Sequence, residues 1–178
     1  MVEYLYKYFN NEIFLNKLSI ISDEICEDNA NRYIDFDKFK EPAYCCDITK
    51  GMQSLSSVDS ILINKQENHL IFIEFKDMNS IGEFNEIKKW IEDKDCSVKI
   101  KIPDSILLLG YFLKEKGYTF DEFIELKKSF FYVYKSNSFK SQINNHLKYR
   151  FSRYNFILNN IKTMETQSYI KFLEKESL

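Results

Sequence analysis

The segments Ser57–Asn64 (SVDSILIN) and His69–Lys76 (HLIFIEFK) constrain the fold of this chain more than any other feature. Both are dense in β-branched and aliphatic residues, and the polar tetrad Lys65-Gln66-Glu67-Asn68 between them has loop length, so the pattern predicts a β-hairpin. Near their centres both arms are apolar at consecutive positions, which leaves neither face suited to water. A sheet covered on both sides follows. Helices must form the cover, because 4 Gly and 2 Pro are too few for the tight turns of a sandwich or barrel. With 178 residues, 44% of them hydrophobic and 16% aromatic, the chain is too apolar for disorder and fits one domain at roughly 100 to 200 residues each. The expectation is a single helix-rich α/β domain over 1–178, a small sheet with a central hairpin flanked by helices on both faces.

The periodicity predicts the rest. Ile13, Phe14, Leu18, Ile21 and Ile25 have helical spacing and predict a first long helix from Asn11 to Asp28. Residues 29–50 read as an irregular connection with a short helix around Tyr33 to Phe39. Helical spacing returns at Ile81, Phe84, Ile87 and Ile91, and Pro103 suits the start of a further helix that stops near Gly117. A short helix from Asp121 leads to a strand at Phe130–Lys135 (FFYVYK). Ser138 to about Lys162 reads as helix, in one piece or two, followed by a tail.

Several classes are disfavoured. The apolar run Ile106–Leu113 is interrupted by Gly110 and falls well short of the roughly 20 residues of a membrane span. The start, Met1-Val2-Glu3-Tyr4, has no basic n-region. Cys26, Cys45, Cys46 and Cys96 lack zinc-knuckle spacing and read as the reduced thiols of a cytoplasmic protein. His69 and His146 are isolated from other ligand types and read as hairpin and helix-surface residues. No glycine-rich phosphate loop or nucleophile elbow is present.

Net charge is −2, yet from Leu126 to Met164 there are eight Lys and Arg and no acid, so that stretch is +8 and the remainder −10. Such segregation points to a nucleic-acid or membrane surface. Phe130, Phe131, Tyr132, Tyr134, Phe139, Tyr149, Phe151, Tyr154 and Phe156 accompany the cations. Cations would neutralise phosphates and aromatics would stack on bases. The reading favoured for the aromatics is structural, with Phe131, Val133, Phe151 and Phe156 as core beneath a solvated basic face. Lys148, Arg150 and Arg153 are the candidate phosphate contacts, and Arg150 with Arg153 align best on a helix.

The chemistry concentrates in the hairpin. On a strand, Glu74 and Lys76 share one face and Ile73 and Phe75 the other. Asp59 lies on the neighbouring arm, where cross-strand Cβ atoms approach to about 4.5–5.5 Å. Two carboxylates and an ammonium can therefore converge. Hard divalent ions such as Mg2+ or Mn2+ are held by one or two carboxylates with water and phosphate oxygens, which makes Asp59 and Glu74 candidate metal ligands and Lys76 a donor to the attacking water or phosphate.

Asp59 followed by a hydrophobic strand bearing Glu74-Phe75-Lys76, with helices flanking the hairpin, resembles the PD-(D/E)xK nuclease superfamily. The resemblance covers about Asn11 to Lys135, and its specific part is Val58 to Lys76. It implies a restriction-endonuclease-like fold with a small mixed β-sheet, and a Mg2+-dependent phosphodiesterase acting on nucleic acid, DNA ahead of RNA, of the kind that serves restriction or phage defence. Asp59, Glu74 and Lys76 become the catalytic residues, set across a cleft from the basic segment at about 126–164. Members often add an acid from the first helix; on the wheel of Asn11–Asp28, Glu24 and Asp28 lie at the edge of the apolar face while Glu27 points away, and Glu24 is the candidate. Residue 58 is Val where the motif's name has Pro, and Glu83–Trp90 (EFNEIKKW) lacks the Gln-x-x-x-Tyr of the RecB-like branch. A homodimer is compatible with the family. A catalytically inactive module on the same scaffold, binding nucleic acid or a partner protein, is the alternative.

Overall fold

The computed structural model describes residues 1–27, 32–39, 55–79, 83–136 and 140–176. Their elements, in chain order, are α1 (Val2–Phe9), β1 (Leu15–Lys17), α2 (Leu18–Ile21), β2 (Arg32–Asp35), α3 (Phe36–Phe39), β3 (Ser60–Asn64) and β4 (His69–Asp77). There follow α4 (Phe84–Glu115), α5 (Phe120–Glu125), β5 (Lys127–Lys135), α6 (Lys140–Phe151), a 3-10 turn at Ser152–Tyr154, β6 (Asn160–Glu165) and α7 (Thr166–Glu176). The fold is mixed α/β. Its six strands lie in sequence order, antiparallel from β1 to β4 and parallel from β4 to β6.

The predicted hairpin is the centre of this sheet. β3 and β4 pair from Ser60 opposite Ile73 to Asn64 opposite His69. Their turn is set by two asparagines: Asn64 Oδ1 accepts the Glu67 N–H at 3.1 Å, and Asn68 takes φ 54°, a conformation asparagine tolerates better than most residues.

Side chains alternate across the sheet and build two cores. Leu70 and Phe72 of β4, with Phe130, Tyr132 and Tyr134 of β5, pack beneath α1, α3, α4 and α6. Ile71, Ile73 and Phe75, with Phe131 and Val133, pack against Leu18, Ile25, Cys26 and the α7 residues Tyr169 and Leu173. Both parallel pairs require crossovers, and the helices that make them, α4 and α6, lie in the first layer. Glu74 and Lys76 therefore project beneath α4.

Four sequence expectations are corrected. No helix spans the described part of Asn11–Asp28; that stretch holds β1, α2 and turns, while the first helix is α1, with Val2, Leu5 and Phe9 buried. Pro103 lies inside the 32-residue α4 rather than at a helix start. The proline costs the helix one N–H donor, and buried Val98, Ile102 and Ile106, four residues apart, hold the helix to the sheet across it. Ser138 to Lys162 is not all helix, since Lys162 lies in β6, and the supposed tail contains α7. Tyr33 belongs to β2, so the helix expected there begins only at Phe36. Gly117 does follow the end of α4, with φ 88°, where a residue without Cβ avoids strain. Asp28, Ile81, Phe139 and the pair Cys45-Cys46 lie outside the described residues, as does the side chain of Cys96; Cys26 is buried. Among the described residues no helix is long and apolar enough to cross a membrane.

Candidate active site

Asp59 stands immediately before β3. With Ser60 opposite Ile73, antiparallel register sets Asp59 opposite Glu74. Its Oδ2 accepts the Phe75 N–H at 2.7 Å, and its own carbonyl accepts the Phe36 N–H at 3.1 Å. The carboxylate is thereby fixed with Oδ2 turned to the neighbouring strand and Oδ1 toward α4. Glu74 is completely buried, and Lys76 Nζ lies 2.6 Å from Glu74 Oε1. The three residues named from sequence thus meet on one face of the sheet.

A fourth residue completes the cluster. Lys101, from α4, donates to Asp59 Oδ1 at 3.0 Å, to Glu74 Oε1 at 2.8 Å and to Glu74 Oε2 at 2.9 Å. It belongs to a polar edge of α4 that holds the segment entering β3. Asp104 Oδ2 accepts the Ser56 N–H and Ser105 Oγ the Val58 N–H, both at 2.9 Å. From the other side, the Ser57 hydroxyl donates to Asp37 of α3. These bonds position Asp59 from a helix some forty residues away in sequence. The sequence signal was present in Lys101, Asp104 and Ser105, polar residues at i, i+3 and i+4 within an apolar helical run.

Burying a carboxylate costs several kcal/mol unless it is paired and hydrogen-bonded. Glu74 has two ammonium partners. Burial, and then the charge of Asp59, push its carboxyl up to about 7, while Lys76 and Lys101 pull the other way. Burial works against the charge on Lys101, but Asp59 and Glu74 outweigh it and hold that ammonium above the ordinary lysine value. The geometry favours the ionised cluster: every oxygen of both carboxylates accepts an N–H, and two negative charges face two positive ones.

The donor set fits a hard divalent ion. Lys101 Nζ already places a cationic group between the two carboxylates, and both acids offer oxygen, the ligand such ions prefer. Among the described residues no three His, Cys, Asp or Glu side chains cluster as ligands, so an ion held by Asp59 and Glu74 would complete its shell with water or phosphate oxygens.

Glu24 does not join them. It is exposed in a turn, with φ 64°, and the helical wheel that selected it has no counterpart among the described residues. Ile25 and Cys26, which follow it, pack in the core on the opposite face of the sheet from Glu74.

The basic segment does not face the carboxylates as a patch. Lys127 pairs with Glu67 at 2.8 Å and Lys140 with Glu165 at 2.6 Å. Lys128 is fully buried, donating to the carbonyls of Phe123, Ile124 and Leu126 at 2.6–2.8 Å. Lys162 lies over the rings of Phe131 and Phe172. Lys148 lines a cavity of about 480 Å3 with Leu126, Phe156 and Asn160, at the starts of β5 and β6. Arg153 lies in the turn that follows α6, its Nε donating to the Arg150 carbonyl at 3.2 Å. Glu74 and Lys76 lie toward the other end of the sheet, four to six residues along β4 and so roughly 13–20 Å away. Lys148 and Arg153 are thus set apart from the carboxylates along the sheet, whereas Lys135, opposite Asp77, stands at their end. Of the aromatics, Phe130, Phe131, Tyr132, Tyr134, Phe151 and Tyr154 are core, but Tyr149 and Phe156 are 79% and 84% exposed, which removes Phe156 from the expected core.

Comparison with models of protein families, with curated proteins and with solved structures finds no match.

Proposed function

We propose that this chain is a metal-dependent nuclease of the PD-(D/E)xK superfamily, restriction-endonuclease-like in fold, hydrolysing phosphodiester bonds of nucleic acid, DNA ahead of RNA, in restriction or phage defence. The observation that carries this reading is the convergence of Asp59, Glu74 and Lys76 on one face of two central strands, with a cation already seated between the acids. The mixed sheet supports it, with its hairpin followed by a helix and a parallel strand.

Asp59 and Glu74 would hold Mg2+ or Mn2+. Such an ion lowers the pKa of coordinated water and draws charge from phosphoryl oxygens. The chain's residues do the remainder. The Phe75 N–H keeps the Asp59 carboxylate in one orientation. Burial of Glu74 keeps solvent from its oxygens. Lys76 spends one N–H on Glu74, and its side chain is about a quarter exposed, so its remaining donors can hold the attacking water or a phosphate oxygen as negative charge develops.

One observation favours a second reading, a non-catalytic module binding nucleic acid or a partner protein: the four charges of the cluster already balance. Metal binding separates the two. Since a ligand that binds only the folded state stabilises it, Mn2+ is expected to raise the melting temperature of the wild type and not that of the Asp59→Asn, Glu74→Gln double variant. An equal rise in both places the ion elsewhere and favours the second reading.

A further inference from the structure

We infer that Lys101 is an internal competitor for the metal site, its ammonium occupying the position between Asp59 and Glu74 that a divalent ion must take. The inference rests on the nuclease reading of these carboxylates and adds to it a residue outside the motif.

Geometry sets the competition. Lys101 Nζ lies 2.8–3.0 Å from three oxygens belonging to both acids. A Mg2+ ion bound to the same oxygens stands about 2.0–2.1 Å from them, hence within the volume that Nζ occupies. The two cannot be present together. Charge leads to the same result. With Lys76 and Lys101 in place the cluster of four is neutral, so adding a divalent ion without moving Lys101 would leave two positive charges uncompensated at close range.

Lys101 is also able to leave. Its side chain is 21% exposed, and its flexible four-carbon stem can carry the ammonium toward solvent without moving α4. Lys76 pairs with Glu74 through Oε1, whereas Lys101 spans both acids. The metal-free site is therefore latched, and metal occupancy depends on displacing a tethered cation.

The test is calorimetric titration of Mn2+ into wild type, Lys101→Met, Lys101→Gln and Lys101→Arg. Removing the competing charge in Lys101→Met is expected to tighten Mn2+ binding at least tenfold. Lys101→Gln, which keeps a donor for the carboxylates and guards against misfolding of the Met variant, is expected to tighten it in the same direction. Lys101→Arg keeps a cation in place and should stay near wild type. Equal affinity in wild type, Lys101→Gln and Lys101→Met, abolished by Glu74→Gln, overturns the latch and leaves the nuclease reading standing. Weaker binding in both neutral variants also overturns it, making Lys101 a supporting residue. Failure of every protein to take Mn2+ overturns the metal site itself, and the latch with it.

Discussion

At the scale of single residues, two lysines, Lys101 partly buried and Lys128 fully so, show how differently this fold uses the same side chain. Lys101 answers the half-buried Asp59 and the buried Glu74. Lys128 instead serves the backbone: its ammonium donates to three carbonyls at the end of α5 and lies 4.9 Å from the centre of the Phe123 ring, closing a helix terminus that would otherwise leave carbonyls unpaired. Burial draws its pKa down to about 8. His69 has the clearest pH signature. Its Nε2 lies 2.8 Å from Ser129 Oγ, and burial foremost, then Lys127, lowers its pKa to about 4 against a weak opposing pull from Glu67 and a further lowering by Lys162. The folded value lies below the unfolded value of 6.5, so the unfolded chain binds the proton more tightly. Stability from this group is full above pH 6.5 and is lost as pH falls toward 4. The melting temperature of wild type should therefore fall more steeply across that window than that of His69→Gln, by the equivalent of at most roughly 3 kcal/mol. Parallel curves would show that His69 titrates normally.

Among elements, α6 and the turn after it test where nucleic acid would bind. If Arg150 and Arg153 engage phosphates, replacing both with Ala should weaken binding to duplex DNA and lower the slope of log affinity against log salt by a little under one unit for each phosphate no longer neutralised. Because they lie away from the carboxylates, Mn2+ affinity should be unchanged. An unaltered slope would make them a solvated face. The elements differ in how far they were legible in sequence. The hairpin was legible, since two continuous apolar runs about a polar tetrad have few other solutions. The false helix at Asn11–Asp28 has a physical cause. Phe14 packs in one core and Leu18 with Ile25 in the other, so the chain passes from one side of the sheet to the other and its apolar spacing only mimics a single face. β6 was missed because its exposed and half-buried residues (NIKTME) give an edge strand little apolar signal. For the site, Asp59, Glu74 and Lys76 were legible because strand alternation and cross-strand register are local rules. Lys101 was legible only as part of a polar helix edge with Asp104 and Ser105, because its place at the site depends on how α4 crosses the sheet. The +8 count misled for a related reason: linear charge does not reveal that Lys127 and Lys140 are paired with acids outside the segment, or that Lys128 is inside the fold.

For the molecule as a whole, the sheet's two faces have different tasks. The α7 face is apolar where Ile71, Ile73 and Phe75 project, while the α4 face combines the larger core with the buried charges at its edge. Such charges are weak evidence for stability, since well-packed apolar residues of similar volume would hold the fold as well or better. Their arrangement around a cation is the reason to assign them chemistry. The most direct measurement is cleavage of labelled single- and double-stranded DNA and RNA in Mg2+, Mn2+ or EDTA. A nuclease built on these residues should show metal-dependent cleavage that disappears in EDTA and falls at least about a hundredfold in Asp59→Ala, Glu74→Ala or Lys76→Ala, a loss of roughly 2.7 kcal/mol in transition-state stabilisation. Full activity in EDTA, or undiminished activity in folded Glu74→Ala, would contradict it.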